Sequence, residues 1–226
     1  MNWFTKMFTS SIGKKLIMSL TGLFLITFLL VHCTINAMIF YNDGGATFSH
    51  WGHFMGTNPV IRLMEVVLVL GFVFHIVDGF MLVAQNRKAR PVKYAKVAQP
   101  KGIAWYSLSM GLLGTLILLF LILHASHFWI PNRVSQGINN WEAGELDLYA
   151  RMIKTFQEPW IVIVYVLGCF SLFWHLLHGF RSAFQSLGLN HLKYNRLISF
   201  VGTSLAVIVP FIFALMPISM YFGWVK

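Results

Sequence analysis

Residues 15–40 read KLIMSLTGLFLITFLLVHCTINAMIF, and no Asp, Glu, Lys or Arg occurs between Lys15 and Asp43. A run of this length and polarity exceeds the roughly 18 to 20 residues that a helix needs to cross a bilayer. It is also much longer than the about 7 to 15 apolar residues of a signal-peptide core, and it lacks a small-residue cleavage site, so an uncleaved helix is expected. Four further apolar runs follow, at residues 60–84, 103–130, 159–180 and 197–222. The expected fold is all-α: one integral-membrane domain over residues 1–226, with five transmembrane helices packed as a bundle.

Composition agrees with that reading. Of the 226 residues, 57% are hydrophobic and 11% charged, against the roughly 25% charged expected of a soluble domain. A soluble enzyme is excluded. The net charge of +10 does not imply nucleic acid, because the basic residues stand in short runs between apolar segments rather than on a reading surface. The two cysteines, Cys33 and Cys169, lie in separate apolar runs and suggest no disulfide framework. C-x-x-C-H is absent from the sequence, so any haem would be held without covalent attachment.

Orientation follows from the flanking charges. Lys6, Lys14 and Lys15, then Arg87, Lys88, Arg90, Lys93, Lys96 and Lys101, then Arg181, Lys193 and Arg196 fall on one side. The other side has Arg62, Arg133, Arg151, Lys154 and Lys226, accompanied by Asp43, Glu65, Glu142, Glu145, Asp147 and Glu158. The excess of positive charge marks the first side as cytoplasmic, which puts the N-terminus inside and the C-terminus outside. Trp3, Trp105, Trp129, Trp160 and Trp224 fit an aromatic belt at the water boundaries. The long segment 131–158 is expected to form an outer loop or cap.

Six of the nine histidines, His32, His75, His124, His127, His175 and His178, fall in or at the ends of these runs. Ionisable groups at such depth are costly and mark functional sites. At 1.5 Å rise per residue, His32 lies about 25 Å and His124 about 35 Å from the cytoplasmic flank, against about 17 Å for His75 and about 9 Å for His175. Two are deep and two shallow, which pairs His32 with His124 and His75 with His175. Gly71 and Gly79 lie one turn either side of His75, and Gly179 one turn after His175. Such glycines leave flat space for a porphyrin, or equally let helices pack closely in lipid. Imidazole also suits zinc or copper, but ligands on four helices at two depths favour two flat cofactors. His127 and His178 stand as alternative ligands, propionate contacts or polar packing. His50 and His53 form H-x-x-H in an outer, glycine-rich segment, where solvation is the simpler reading.

With LLVHC ending the first run, FVFHIVDGF in the second, LILHASHFW in the third and FWHLLHGFRSAFQSLG in the fourth, nearly the whole chain resembles the single-chain, five-helix, di-haem cytochrome b anchor of succinate dehydrogenase and fumarate reductase, of the menaquinone-linked variety. The resemblance implies two haem b groups, with His32 and His124 on the outer iron and His75 and His175 on the inner one. It implies a flavoprotein subunit and an iron–sulfur subunit docked on the cytoplasmic side, menaquinone as substrate, the bacterial cytoplasmic membrane as location, and room for a dimer of complexes. The dicarboxylate chemistry would belong to the flavoprotein. Ser19 resembles the polar residue of the family's first helix that approaches haem propionates, and Arg181 could neutralise such a carboxylate. Glu65 in RLMEVV is the candidate for proton exchange at a quinone, its simpler alternative being an ion pair with Arg62. Asp78 in HIVDG either joins a polar network or snorkels to the boundary. Some fumarate reductases of the family have a glutamate two residues before the fourth ligand, proposed to carry protons; Phe173 stands there, so such a route is not expected. The alternatives are a di-haem cytochrome b of a hydrogenase or formate dehydrogenase, a haem-free anchor, and a small transporter using its histidines for protons or metal ions.

Overall fold

The computed structural model describes residues 10–88, 105–136 and 147–225. Trp3, Lys6, Arg90, Lys93, Lys96, Lys101, Glu142, Glu145 and Lys226 lie outside the described residues. Five helical spans are long and apolar enough to cross a membrane: Ser11–Tyr41, Pro59–Lys88, Met110–Val134, Pro159–Ser186 and Leu192–Tyr221. These are called the first to fifth spans below.

The five apolar runs therefore form five helices, with their ends displaced by a few residues. Polar residues extend the helices past the apolar core where capping allows. Ser10 caps the first span, its Oγ accepting from the Gly13 amide at 3.0 Å. The second span continues to Arg87 and Lys88, whose charges suit a helix C-terminus. The third run begins later than expected, at Met110, after a separate short turn over Trp105–Leu108.

The third run also ends later, because its helix changes pitch instead of stopping. Residues Ala125–Trp129 form a π-helical turn, and an α-helix resumes over Ile130–Gln136. Pro131 falls in the first turn after this change, where a missing N–H is tolerated. The first part of the expected outer loop is thus helix. Pro210 and Pro217 lie inside the fifth span without ending it, as neighbouring helices allow in a bundle.

The first span packs against the second, fourth and fifth, and the fourth packs against the third and fifth. Close approach is set by glycine: a Cβ on Gly168 would lie 2.6 Å from the Phe120 ring, and one on Gly202 2.5 Å from Phe180. These two contacts tie the third and fifth spans to the fourth. Large apolar side chains such as Leu63, Val66, Val73, Phe74 and Phe211 point outward, the pattern of helices whose solvent is hydrocarbon.

Two short helices, Ala46–Thr57 and Leu148–Thr155, cover the end of the bundle remote from Ser10. The second is capped by Asp147, which accepts from the Ala150 amide at 3.0 Å. Tyr149 and Met152 bury themselves with Ile39, Phe48, Phe156, Tyr165, Met216 and Met220. Gly45 makes this possible, with φ of +80° and a position where a Cβ would lie 2.3 Å from the Tyr149 ring. The expected cap is present in its residues 147–158, beside the segment that follows the first span. Trp105, Trp129, Trp160 and Trp224 are all exposed, as interfacial indoles are.

Candidate functional site

Inside the bundle the four histidines meet in the two expected pairs. The His32 and His124 ring centroids are 5.8 Å apart with planes at 90°. Those of His75 and His175 are 6.2 Å apart with planes at 66°. A metal ion accepts imidazole nitrogen at about 2.0–2.1 Å, so two rings on opposite sides of one ion have centroids about 6 Å apart. Both separations meet that requirement. The two levels are joined by the first span, where Thr21 contacts His75 and His32 lies eleven residues further along, about 16 Å by helical rise.

The pairs differ in their surroundings. At the His32–His124 pair, Phe28 stacks on His32 at 5.3 Å and Phe213 lies at 5.6 Å, while Phe120 stacks on His124 at 5.7 Å and Phe128 lies at 5.5 Å. Nδ1 of His124 is shut off from solvent and has no hydrogen-bond partner. Asn36 donates from Nδ2 to the His32 carbonyl at 2.8 Å and lies 3.3 Å from its Nδ1.

The His75–His175 pair has a glycine against each ring. A Cβ on Gly22 of the first span would lie 3.4 Å from Cε1 of His75, and one on Gly114 of the third span 3.7 Å from Cε1 of His175. Nδ1 of His175, like that of His124, is buried without a partner. Buried imidazole nitrogens left unsatisfied are expensive, so these two mark polar positions held inside an apolar bundle. The two ring separations, 5.8 and 6.2 Å, are of the size a bis-histidine centre needs. Among the described residues no three or more His, Cys, Asp and Glu gather as a compact metal site.

The glycines named from sequence divide between the two readings. Gly71 is a packing residue, with Phe24 atoms 3.0 and 3.1 Å from its Cβ position, and Gly79 lies 3.5 Å from Met18. Gly179 faces open space. Gly22 and Gly114, which touch the histidines from neighbouring spans, were not singled out because neither lies one turn from a histidine on its own helix.

His127 is turned away from the His32–His124 pair. Its Nδ1 lies 3.0 Å from Tyr165 Oη, the two rings are parallel to within 6°, and Arg151 donates from Nε to its carbonyl. His178 lies edge-on to Tyr106 at 6.4 Å, beside the Tyr106–Trp174 stack. Ser19 is buried, its hydroxyl donating to the Lys15 carbonyl at 2.7 Å. Arg181 is exposed and shares a recess with Gln185, Asn190 and Asn195. Asp78 is buried and its Oδ2 has no hydrogen-bond partner. His50 and His53 are exposed on the Ala46–Thr57 helix.

Glu65 pairs with Arg62 as one reading held, but with more partners than sequence named. Its Oε2 accepts from Arg62 Nη1 at 2.5 Å and Arg133 Nη2 at 2.7 Å, and its Oε1 from Arg133 Nε at 2.9 Å and Trp129 Nε1 at 2.6 Å. The fork of Arg133 thus closes on both oxygens.

Comparison with known proteins adds no identity: no family model, curated protein or solved structure matches the chain. The histidine geometry therefore stands on its own.

Proposed function

We propose that the chain is the membrane-anchoring, two-haem cytochrome b subunit of a succinate:quinone oxidoreductase, passing electrons between an iron–sulfur subunit and menaquinone. The observation that carries this reading is the meeting of four intramembrane histidines, from four different spans, as two facing pairs at two levels. The order and spacing of the four histidine motifs, similar to those of the succinate dehydrogenase and fumarate reductase anchors, support the choice of partner enzyme. The basic end of the bundle, with Lys14, Lys15, Arg87, Lys88, Lys193 and Arg196, is assigned to the cytoplasm of a bacterium and to the soluble subunits.

Bound haem supplies reversible one-electron chemistry. The chain's residues do the rest. His75 and His175 hold the centre near the basic end, and His32 and His124 hold the one near the capped end. Phe28, Phe120, Phe128 and Phe213 keep water from the outer pair, and such exclusion is one of the protein's means of setting potential. Glu65, at the capped end, is assigned proton exchange with the quinone; to give up or take a proton it must open one of its four bonds to Arg62, Arg133 and Trp129.

The test is the dithionite-reduced minus oxidised spectrum of the complex purified from membranes, with haem quantified per chain. About two b-type haems per chain are expected, together with co-purified flavoprotein and iron–sulfur subunits. A folded, intact complex without haem would sink the proposal.

A further inference from the structure

Thr21 Oγ1 sits 3.1 Å from Nδ1 of His75. Which atom donates follows from counting hydrogens. A threonine hydroxyl has one proton and two lone pairs. That proton is directed at the carbonyl of Ile17, 2.8 Å away, with the Met18 carbonyl at 3.2 Å as its other acceptor. With that proton on Ile17, the nearer acceptor, a lone pair faces the imidazole and Nδ1 of His75 is the donor to Thr21 Oγ1. The Nε2 lone pair of His75 is then the one free for a metal.

No other histidine of the two pairs has this arrangement. Nδ1 of His124 and of His175 are without partners, and the group nearest Nδ1 of His32 is the amide nitrogen of Asn36, itself a donor. Gly22, next to Thr21, presents a surface without a Cβ to the His75 ring, so the hydroxyl meets the imidazole with no intervening side chain.

We infer that Thr21 is the positioning residue of the inner centre, fixing the tautomer and rotation of His75 and making it a stronger axial donor to iron. This rests on the haem reading proposed above. An imidazole whose far N–H is donated to an acceptor is more basic at its ligating nitrogen, and greater ligand basicity stabilises the oxidised metal.

Thr21→Val keeps the shape of the side chain and removes the acceptor; Thr21→Ser restores it. The complex bearing each variant would be titrated potentiometrically with haem absorbance as the readout. The expected result is two haems per chain in both, with the midpoint of one centre moved to more positive potential in the valine variant only, and the other midpoint unchanged. Loss of one haem from the valine variant but not from the serine variant would also support the role. Two haems with unaltered midpoints in Thr21→Val would overturn the inference and leave the haem reading standing. Equal loss of haem from both variants would overturn it too, since packing alone would then explain the site. Absence of haem from the unsubstituted complex would remove both readings together.

Discussion

His124 and His127 stand three positions apart on one span, yet the first lies against His32 and the second against Tyr165. Their spacing alone left both open as ligands, because neighbours three apart share a face of an ordinary α-helix. The π turn that begins at Ala125 changes the rotation between them. Tyr165 was invisible as a partner for the same reason: a tyrosine in an apolar run is ordinary until the helix rotations are known. Under the proposed function, His32→Leu, His75→Leu, His124→Leu and His175→Leu each lower haem from about two to about one per chain, the first and third removing one spectral species and the others the second. His127→Leu and His178→Leu retain both. Pyridine haemochrome quantification with low-temperature difference spectra checks this, and loss of a haem from His127→Leu would reassign the third-span ligand.

At the scale of the element, the π turn does more than separate two histidines. It sets the phase of everything after it, so that Trp129 and Arg133 both reach Glu65 of the second span. Wide-pitch turns of this kind concentrate where function demands a local change of register. Inserting an alanine after Ser126 adds one residue to the helix, which rotates the residues beyond by about 100° and shifts them by about 1.5 Å. Trp129 and Arg133 then leave Glu65, and hydrogen bonds to a charged group are worth about 1.5–3 kcal/mol each. The expected outcome is a lower thermal midpoint of the purified protein, matched by Glu65→Ala, with the His75–His175 centre retained. An insertion that leaves the midpoint unchanged would show the register to be unimportant. The sequence carried no sign of this turn, because π pitch depends on contacts across spans rather than on local pattern. Span existence was legible for the opposite reason: long apolar runs without charge have few other uses, and histidines within them stand out. Gly22 and Gly114 were missed because each serves a histidine on another helix.

Across the whole molecule, charge and burial divide along the bundle axis. The basic residues Lys14, Arg87, Lys88, Lys193 and Arg196 lie at one end, whereas Asp43, Asp147 and Glu158 stand with the two short helices at the other. The capped end has its own electrostatics. Hydrogen bonds from the hydroxyl and then the amide of Thr47 hold the Asp43 carboxyl below its ordinary range, and burial followed by the charges of Asp43 and Asp147 pushes the Tyr149 phenol up. The cap is therefore built for an environment in which Asp43 stays ionised and Tyr149 neutral, as both do near neutral pH. If the positive-inside rule governs this chain, the cap faces outward and the inner histidine pair lies toward the cytoplasmic subunits. Thiol labelling can decide the matter because the native thiols are shielded: Cys33 is 5% and Cys169 7% exposed. A cysteine introduced at exposed His50 should react with a membrane-impermeant maleimide in intact cells whose outer barrier has been opened, and one at exposed Lys193 only after the cytoplasmic membrane is permeabilised. The reverse pattern would put the His32–His124 pair on the side of the soluble partners, and the electron path from an iron–sulfur subunit would then have to enter at that pair and leave at the other.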